Sequence, residues 1–350
     1  MTPSPPIVSR EVRLASRPAG RPETSNFVIV ARTLEEPRQG QVLVENLFMS
    51  VDPYMRGRME DRPSYVPPFE IGQPLDGAAI GRVLMSRADG VDEGDVVLHR
   101  YGWREKIVAP AKAFTKVDPT LAPLPAYLGV LGMTGLTAYV GLLDIGALKE
   151  GDTVFVSAAA GAVGSIVCQI ARIKGCRVVG SAGSAEKVEW LTRVARVDAA
   201  INYRTTTALT AALRDAAPSG VDVYFDNVGD SHLEAALSAM NAHGRVVLCG
   251  MIAQYNATAA PCAPRNLARA IGKRLTLRGF IVGDHNERRN AFLGDMSGWL
   301  RDGQVQAEET ILRGIDAAPN AFIGLFGGEN MGKMIVQLAS AQEHVPSHAP

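Results

Sequence analysis

The stretch that most constrains this chain is VSAAAGAVGS, residues 156–165. It begins inside TVFVSA, an apolar run of strand length, and leads into Val163, Ile166, Val167 and Ile170, which recur on one helix face. A strand that turns through glycines directly into a helix opens a β-α-β unit, and such a turn receives phosphate groups. Gly161 lets the backbone come close to a pyrophosphate, and Gly164 lets the helix pack tightly on the strand. The free N–H groups and the dipole of the helix N-terminus favour phosphate charge. Read as G-x-G-x-x-G, the pattern carries Ala159 where its first glycine belongs. Alanine is the smallest replacement and removes only the tight-turn glycine. The strand-turn-helix context preserves the reading of a dinucleotide-binding loop.

The next strand candidate selects the dinucleotide. A loop that binds NAD is followed about twenty residues on by Asp or Glu, which bonds the ribose hydroxyls. Here the strand ends in VVGSAGSAEK, with Gly180 and Ser181 at that place and Lys187 shortly beyond. No carboxylate stands there to repel a phosphate. The expected cofactor is therefore NADP(H). The plainer role for Lys187 is to solvate a helix face, and the absent acid is the stronger half of the argument.

The rest of the chain fits a two-part architecture. The early residues are short strand-like runs broken by Gly and Pro, such as QVLVENLFMSVD, GAAIGRVLMS and GDVVLHRYGWREKIVAP, which predict a mostly β domain. YLGVLGMTGLTAYVGLLDIGALKEGD then reads as helical segments leading into a strand. After the glycine loop, CRVVGSA, AAINY, VDVYFDNV, RVVLCG and LTLRGFIV are apolar strands mostly separated by helix-like stretches, the signature of a parallel sheet covered on both faces. The predicted division is 1–130, 131–302, and 303–350, the last returning to the first domain. Thirty-six basic residues against thirty-six acidic ones leave no global field to favour nucleic acid or an anionic membrane. No apolar run reaches membrane-span length and the N-terminus lacks a secretory pattern, so a cytoplasmic location is expected. Cys168, Cys176, Cys249 and Cys262 show no C-x-x-C spacing and read as reduced thiols. MTPSPP and EHVPSHAP read as loose ends.

Several stretches together resemble the medium-chain dehydrogenase/reductase superfamily, and within it the zinc-free leukotriene hydroxydehydrogenase and keto-prostaglandin reductase branch, which includes NADP-dependent alkenal and alkenone reductases. They are SVDPYMRGRM, LGMTGLTAY, SAAAGAVGS, VVGSAGSAEKV, NY at 202–203, DNVG, CGMIAQYN, RGFIV and GGENMGK. The resemblance implies an α/β fold, a Rossmann doubly wound parallel sheet plus a mostly β GroES-like catalytic domain. It also implies NADP(H) contacts at Gly161, Ala162, Val163, Gly164, Lys187, Tyr203, Asn227, Cys249, Gly250, Met251, Ile252, Ala253, Gln254, Tyr255, Phe280, Ile281, Val282 and Asn330, and a homodimer. Tyr203 would lie with Lys187 by the adenosine phosphate. Where zinc-bearing relatives have Cys and Gly-His-Glu, this chain reads SVDPYM and GQPLDG; the first domain has no cysteine and one histidine, His99. A zinc site needs about three N, S or O ligands, so no metal is expected.

Chemistry without a metal favours a conjugated acceptor. Hydride delivered to the β-carbon of an α,β-unsaturated ketone or aldehyde leaves a delocalised enolate, which needs hydrogen-bond donors at its oxygen. Tyr255 in IAQYN is the first candidate, and the resemblance points to the same residue; the nicotinamide ribose hydroxyl would share the work. Tyr54 and Arg56 in DPYMRG are further catalytic candidates lining the cleft, Arg56 with the competing role of tying down a loop. The expected activity is reduction of the enone C=C bond. A quinone reductase and a non-catalytic NADPH-binding protein are the alternatives.

Overall fold

A computed structural model describes residues 6–340. The expected loose ends at 1–5 and 343–350 lie outside the described residues. Seven strands precede the glycine loop: β1 (Ile7–Leu14), β2 (Phe27–Leu34), β3 (Gln41–Ser50), β4 (Ala79–Ser86), β5 (Val96–His99), β6 (Lys106–Pro110) and β7 (Thr115–Lys116). β1 and β2 form an antiparallel pair running from Ile7 opposite Leu34 to Leu14 opposite Phe27. The chain then alternates strand and helix through β8 (Thr153–Val156), β9 (Arg177–Ala182), β10 (Ala199–Asn202), β11 (Val221–Asp226), β12 (Met240–Leu248) and β13 (Thr276–Gly279). It ends in β14 (Glu309–Arg313) and β15 (Lys333–Gln337).

Strands β8 to β13 form one six-stranded sheet in the order β10-β9-β8-β11-β12-β13, with every neighbouring pair parallel. Counted within the sheet this is 3-2-1-4-5-6, the Rossmann order, whose reversal point lies between β8 and β11. The two-residue period of a strand divides β8 between two cores. Val154 and Val156 pack with Ile166, Val167 and Ile170 of the helix Gly164–Ile173. Phe155 faces the other way and stacks on Tyr224 at 5.0 Å, among Leu213, Leu233 and Leu237. Burial on both faces is why these strands are apolar at nearly every position.

Apart from the β1–β2 pair, the remaining strands form a seven-stranded sheet in the order β14-β15-β3-β4-β5-β7, with β6 also paired to β3. β15 runs antiparallel to β3, with Ile335 opposite Ser50, so the end of the chain returns to the early strands. An ion pair fixes the return. Lys333 is buried, and its Nζ donates to Val51 O at 2.8 Å and to Asp52 Oδ1 at 3.0 Å. A buried charge is tolerable only when paired in this way.

Two buried imidazoles carry an acid-sensitive part of the stability. Burial lowers His99 to about 3, with Arg104 adding to the effect, and lowers His232 to about 4. A folded-state pKa below the unfolded value of about 6.5 gives stability that is full above that value and lost as pH falls, at up to about 1.4 kcal/mol per pH unit per group. The denaturation midpoint should therefore decline from pH 7 to pH 4, with a smaller slope in His99→Gln. Denaturant titrations showing the same slope in both proteins would assign the acid sensitivity elsewhere.

Candidate active site

The glycine loop leaves β8 through a backbone that only small residues permit. Ala158 takes the left-handed conformation at φ 47°. The sequence pattern places the strained tight-turn position at Ala159, and the structure moves it one residue earlier. Ala159 is fully buried, and its Cβ lies 2.9 Å from where a Cβ on Gly180 of β9 would stand. An alanine in the loop is thus matched by a glycine in the next strand. A Cβ on Gly164 would overlap the Ala158 carbonyl oxygen and lie 2.9 Å from Ala159 Cα, so this glycine is required for close packing. The N–H groups of Ala162 and Val163 have no acceptor among the described residues. They sit at the start of the helix Gly164–Ile173, where donors and dipole together favour an anion.

The neighbouring strand ends assemble the rest of the crevice. Asn227, just past β11, donates from Nδ2 to Ser157 O at 2.8 Å and from its backbone to Ser157 Oγ at 2.9 Å. This ties it across the reversal point. Cys249, Gly250 and Met251 follow β12 and line an open groove with Phe280 and Ile281, which follow β13. Val282 packs against the core behind that groove, and Ile252, Ala253 and Gln254 form a short turn that delivers Tyr255. Asn330 donates to Gly332 O at 2.7 Å, and Gly332 donates to Ala160 O at 2.9 Å, so the C-terminal segment lies against the glycine loop.

At the far side of β9, Lys187 Nζ donates to Gly328 O at 2.7 Å. The Tyr203 ring packs edge-on to His232 with centroids 5.0 Å apart. A Cβ on Gly183 would stand 2.7 Å from Tyr203 Oη, so the loop after β9 brings Lys187 and Tyr203 to one bay. The adjacent Arg204 reaches the same bay and was not singled out by the sequence pattern. Its signal is a cation directly after NY, legible only once β10 is known to end there.

The Tyr255 hydroxyl accepts the Met251 N–H at 3.4 Å, and a Cβ on Gly250 would lie 3.1 Å from it. Burial raises the phenol above its ordinary value; Cys249, Tyr65 and Asp226 push in the same direction, and the Met251 bond opposes them. Tyr65 belongs to the loop after the short helix Met55–Arg58, so the early part of the chain comes near enough to act on Tyr255. Within RMEDRPSYVPP the sequence did not distinguish Tyr65 from its neighbours. Tyr54 is half-buried against the first domain's core, and burial pushes its phenol up to about 12. Arg56 makes the bonds expected of its loop-tying role. It is buried, its Nε and Nη2 donate to Gly20 O at 3.1 and 3.0 Å, and its Nη1 donates to Glu60 at 3.0 Å. Every nitrogen of the guanidinium is engaged in holding a loop. Among the described residues, no group of three or more His, Cys, Asp or Glu is arranged to hold a metal ion.

The doubly wound sheet, the bare loop amides and the cationic bay define a two-part oxidoreductase that binds a dinucleotide. The comparisons agree. Residues 10–117 match the family model described as N-terminal domain of oxidoreductase, and 162–296 match that described as zinc-binding dehydrogenase. The chain is 40% identical to the NADPH-dependent curcumin reductase of Escherichia coli, over 93% of this chain and 96% of that protein. It is 40% identical to the 2-alkenal reductase (NADP(+)-dependent) of Nicotiana tabacum, over 95% and 98%. Among solved structures, CurA from Vibrio vulnificus in complex with NADPH is similar at a TM-score of 0.90 and 39% identity, covering 95% of this chain and 99% of that one. The chain belongs to the zinc-free branch of the medium-chain dehydrogenase/reductase family, and its cofactor is NADP(H).

The loop geometry yields a direct test. Gly164→Ala must displace the Ala158 carbonyl or the helix start, and overpacking of this kind costs about 1–3 kcal/mol. NADPH affinity measured by fluorescence titration should drop at least about tenfold, with a lower thermal midpoint. Wild-type affinity in this variant would show that the tight strand-helix packing does not set the phosphate loop.

Proposed function

We propose that the protein reduces the C=C bond of α,β-unsaturated ketones and aldehydes with NADPH. The observation that carries this reading is the half-buried Tyr255 phenol, bonded to the Met251 N–H just past β12 and hung from the end of β11 at the sheet's reversal point. The names of the relatives, curcumin reductase, 2-alkenal reductase and prostaglandin reductase 1, support the same acceptor class. The loop 161–164, through the free amides of Ala162 and Val163, would hold the pyrophosphate, Lys187 and Tyr203 the adenosine phosphate, and Asn227, Cys249–Tyr255, Phe280–Val282 and Asn330 the rest of the cofactor. When bound there, the nicotinamide supplies a hydride.

Tyr255 stays protonated because burial raises its pKa, so its O–H donates to the substrate carbonyl oxygen as negative charge gathers there. A neutral donor suits this role because its hydrogen bond strengthens as the oxygen becomes an enolate. Tyr65 and Tyr54 shape the acceptor side. Arg56 acts as a positioning residue: it holds the Gly20 carbonyl, and a Cβ on Gly20 would lie 3.7 Å from Asn256 O, next to Tyr255. We assign 1–130 and 303–350 to the catalytic domain and 131–302 to the cofactor domain. β13 is the outer strand of its sheet, and Ile271 and Leu267 nearby are 81% and 44% exposed, which supports a homodimer closing that edge. Four cysteines outside any disulfide support a reducing, cytoplasmic setting.

Tyr255→Phe keeps the ring and removes the donor. Turnover with an alkenone should fall about ten- to a hundredfold, while NADPH affinity stays within about twofold. In the wild type an alkaline loss of rate should appear only above pH about 10, because the raised pKa keeps the donor protonated to that point, and the Phe variant should lack it. The product should be the saturated carbonyl compound. Formation of the allylic alcohol, or undiminished turnover of the variant when chemistry limits the rate, would overturn the mechanism.

A further inference from the structure

We propose that Arg204 is a second cation that reads the adenosine 2′-phosphate of NADPH, acting beside Lys187. The proposal rests on the placement of Lys187 at that phosphate and extends it to a residue from a different element. Three segments converge on one bay: the loop after β9, the turn after β10, and the glycine segment after the helix Ala318–Leu325. Arg204 Nη2 donates to Gly327 O at 3.0 Å, and Lys187 Nζ donates to Gly328 O at 2.7 Å. A Cβ on Gly328 would lie 3.6 Å from Lys187 Nζ and 3.9 Å from Arg204 Nη2, so both cations face the same bare glycine. A Cβ on Gly183 would lie 3.2 Å from Arg204 Nε and 2.7 Å from Tyr203 Oη. The guanidinium therefore spans the bay from its β9 wall to its C-terminal wall.

The side-chain hydrogen bonds of both cations go to neutral carbonyls and not to carboxylates. Burial lowers the Lys187 pKa, Arg204 lowers it further, and Glu186 pulls it back. Two like charges hydrogen-bonded only to carbonyls gain most from a dianion placed between them. A phosphate suits a guanidinium better than a carbonyl does, because two parallel N–H groups can meet two of its oxygens. Gly328 adds no side chain between the two cations, while Glu329 and Arg21 stand over the neighbouring Gly327. The carbonyls hold the cations in position until a charged acceptor replaces them. NADH lacks the phosphate and cannot make this exchange.

The test is a calorimetric titration of the intact protein with NADPH, NADH and 2′,5′-ADP. The last probe carries the phosphate without the nicotinamide, so its binding is independent of Tyr255. Arg204 is exposed, and its truncation leaves the core untouched. Arg204→Ala should weaken NADPH and 2′,5′-ADP about tenfold, the size of one charge-assisted hydrogen bond, and NADH by less than about twofold. Arg204→Lys should recover part of the loss, since the charge remains and the fork does not. Equal weakening of NADPH and NADH would overturn the proposal. If Lys187→Ala alone loses discrimination, Arg204 is excluded and the placement of Lys187 stands. If neither variant loses it, the placement of Lys187 falls, and Arg204 falls with it.

Discussion

One buried carboxylate shapes the cleft. Asp226 ends β11 at the reversal point of the parallel sheet, and its Oδ1 accepts from Tyr224 Oη at 2.7 Å, Gly229 N at 2.8 Å and Val228 N at 2.9 Å. Burial drives its pKa up, and these donors pull it back. Without the carboxylate those amides would be buried and unpaired, at roughly 1–3 kcal/mol each. The capture lets the chain turn through two successive left-handed residues, Gly229 at φ 79° and Asp230 at φ 45°. The Asp226 backbone carbonyl also accepts the Cys249 and Gly250 N–H groups, both at 3.0 Å. Ile252 N–H then reaches Asn227 O and Ala253 N–H reaches Val228 O, each at 3.2 Å. The segment that presents Tyr255 thus hangs, bond by bond, from the end of β11.

The two halves of the cleft are joined by the C-terminal segment. Gly332 bonds Ala160 in the glycine loop, while the next residue, Lys333, holds Asp52 and the Val51 carbonyl on the other side. A phosphate loop and a residue two positions from Tyr54 are therefore fixed by adjacent residues of one segment. Trp190 adds a bond from Nε1 to Glu308 at 3.0 Å, and Gln169 bonds the Gln306 backbone in both directions. These ties hold the last part of the chain against the Rossmann domain although it carries little of that domain's core.

Much of this was legible in the sequence, because the relevant signals are local. The strand-glycine-helix transition at 153–173 and the apolar runs at 177–182 and 221–226 announce buried parallel strands by period and length alone. The missing acid after β9 is a single-position statement about charge. What stayed hidden depends on distant residues meeting. The left-handed residue fell on Ala158 because Ala159 is needed to fill the space over Gly180. Arg56 carries a charge in a motif next to the cleft, yet its role follows from Gly20, far away in sequence. Tyr65 and Arg204 gain meaning only when separate loops are brought to one place.

In the proposed binding mode the cleft separates its charges along the cofactor's length. Cations gather at the proposed adenosine end, where Lys187 and Arg204 face Gly328. Burial acts most strongly on Tyr255 and the Met251 N–H opposes it; no cation is among the groups that act on it. A permanent positive charge at the reacting end would bind anions in the ground state and add little as the reaction proceeds. A phenol instead contributes most when the substrate oxygen becomes anionic, which is where catalysis is gained. The same surroundings solve a second problem. Cys249 lines the groove beside Tyr255, and a thiolate there would add to the electrophilic double bond of an enone. Burial, reinforced by Asp226, pushes that thiol up to about 12. At neutral pH it is then a small apolar wall and not a nucleophile. The low-dielectric, anion-biased setting that keeps Tyr255 protonated also keeps Cys249 inert toward the proposed substrate.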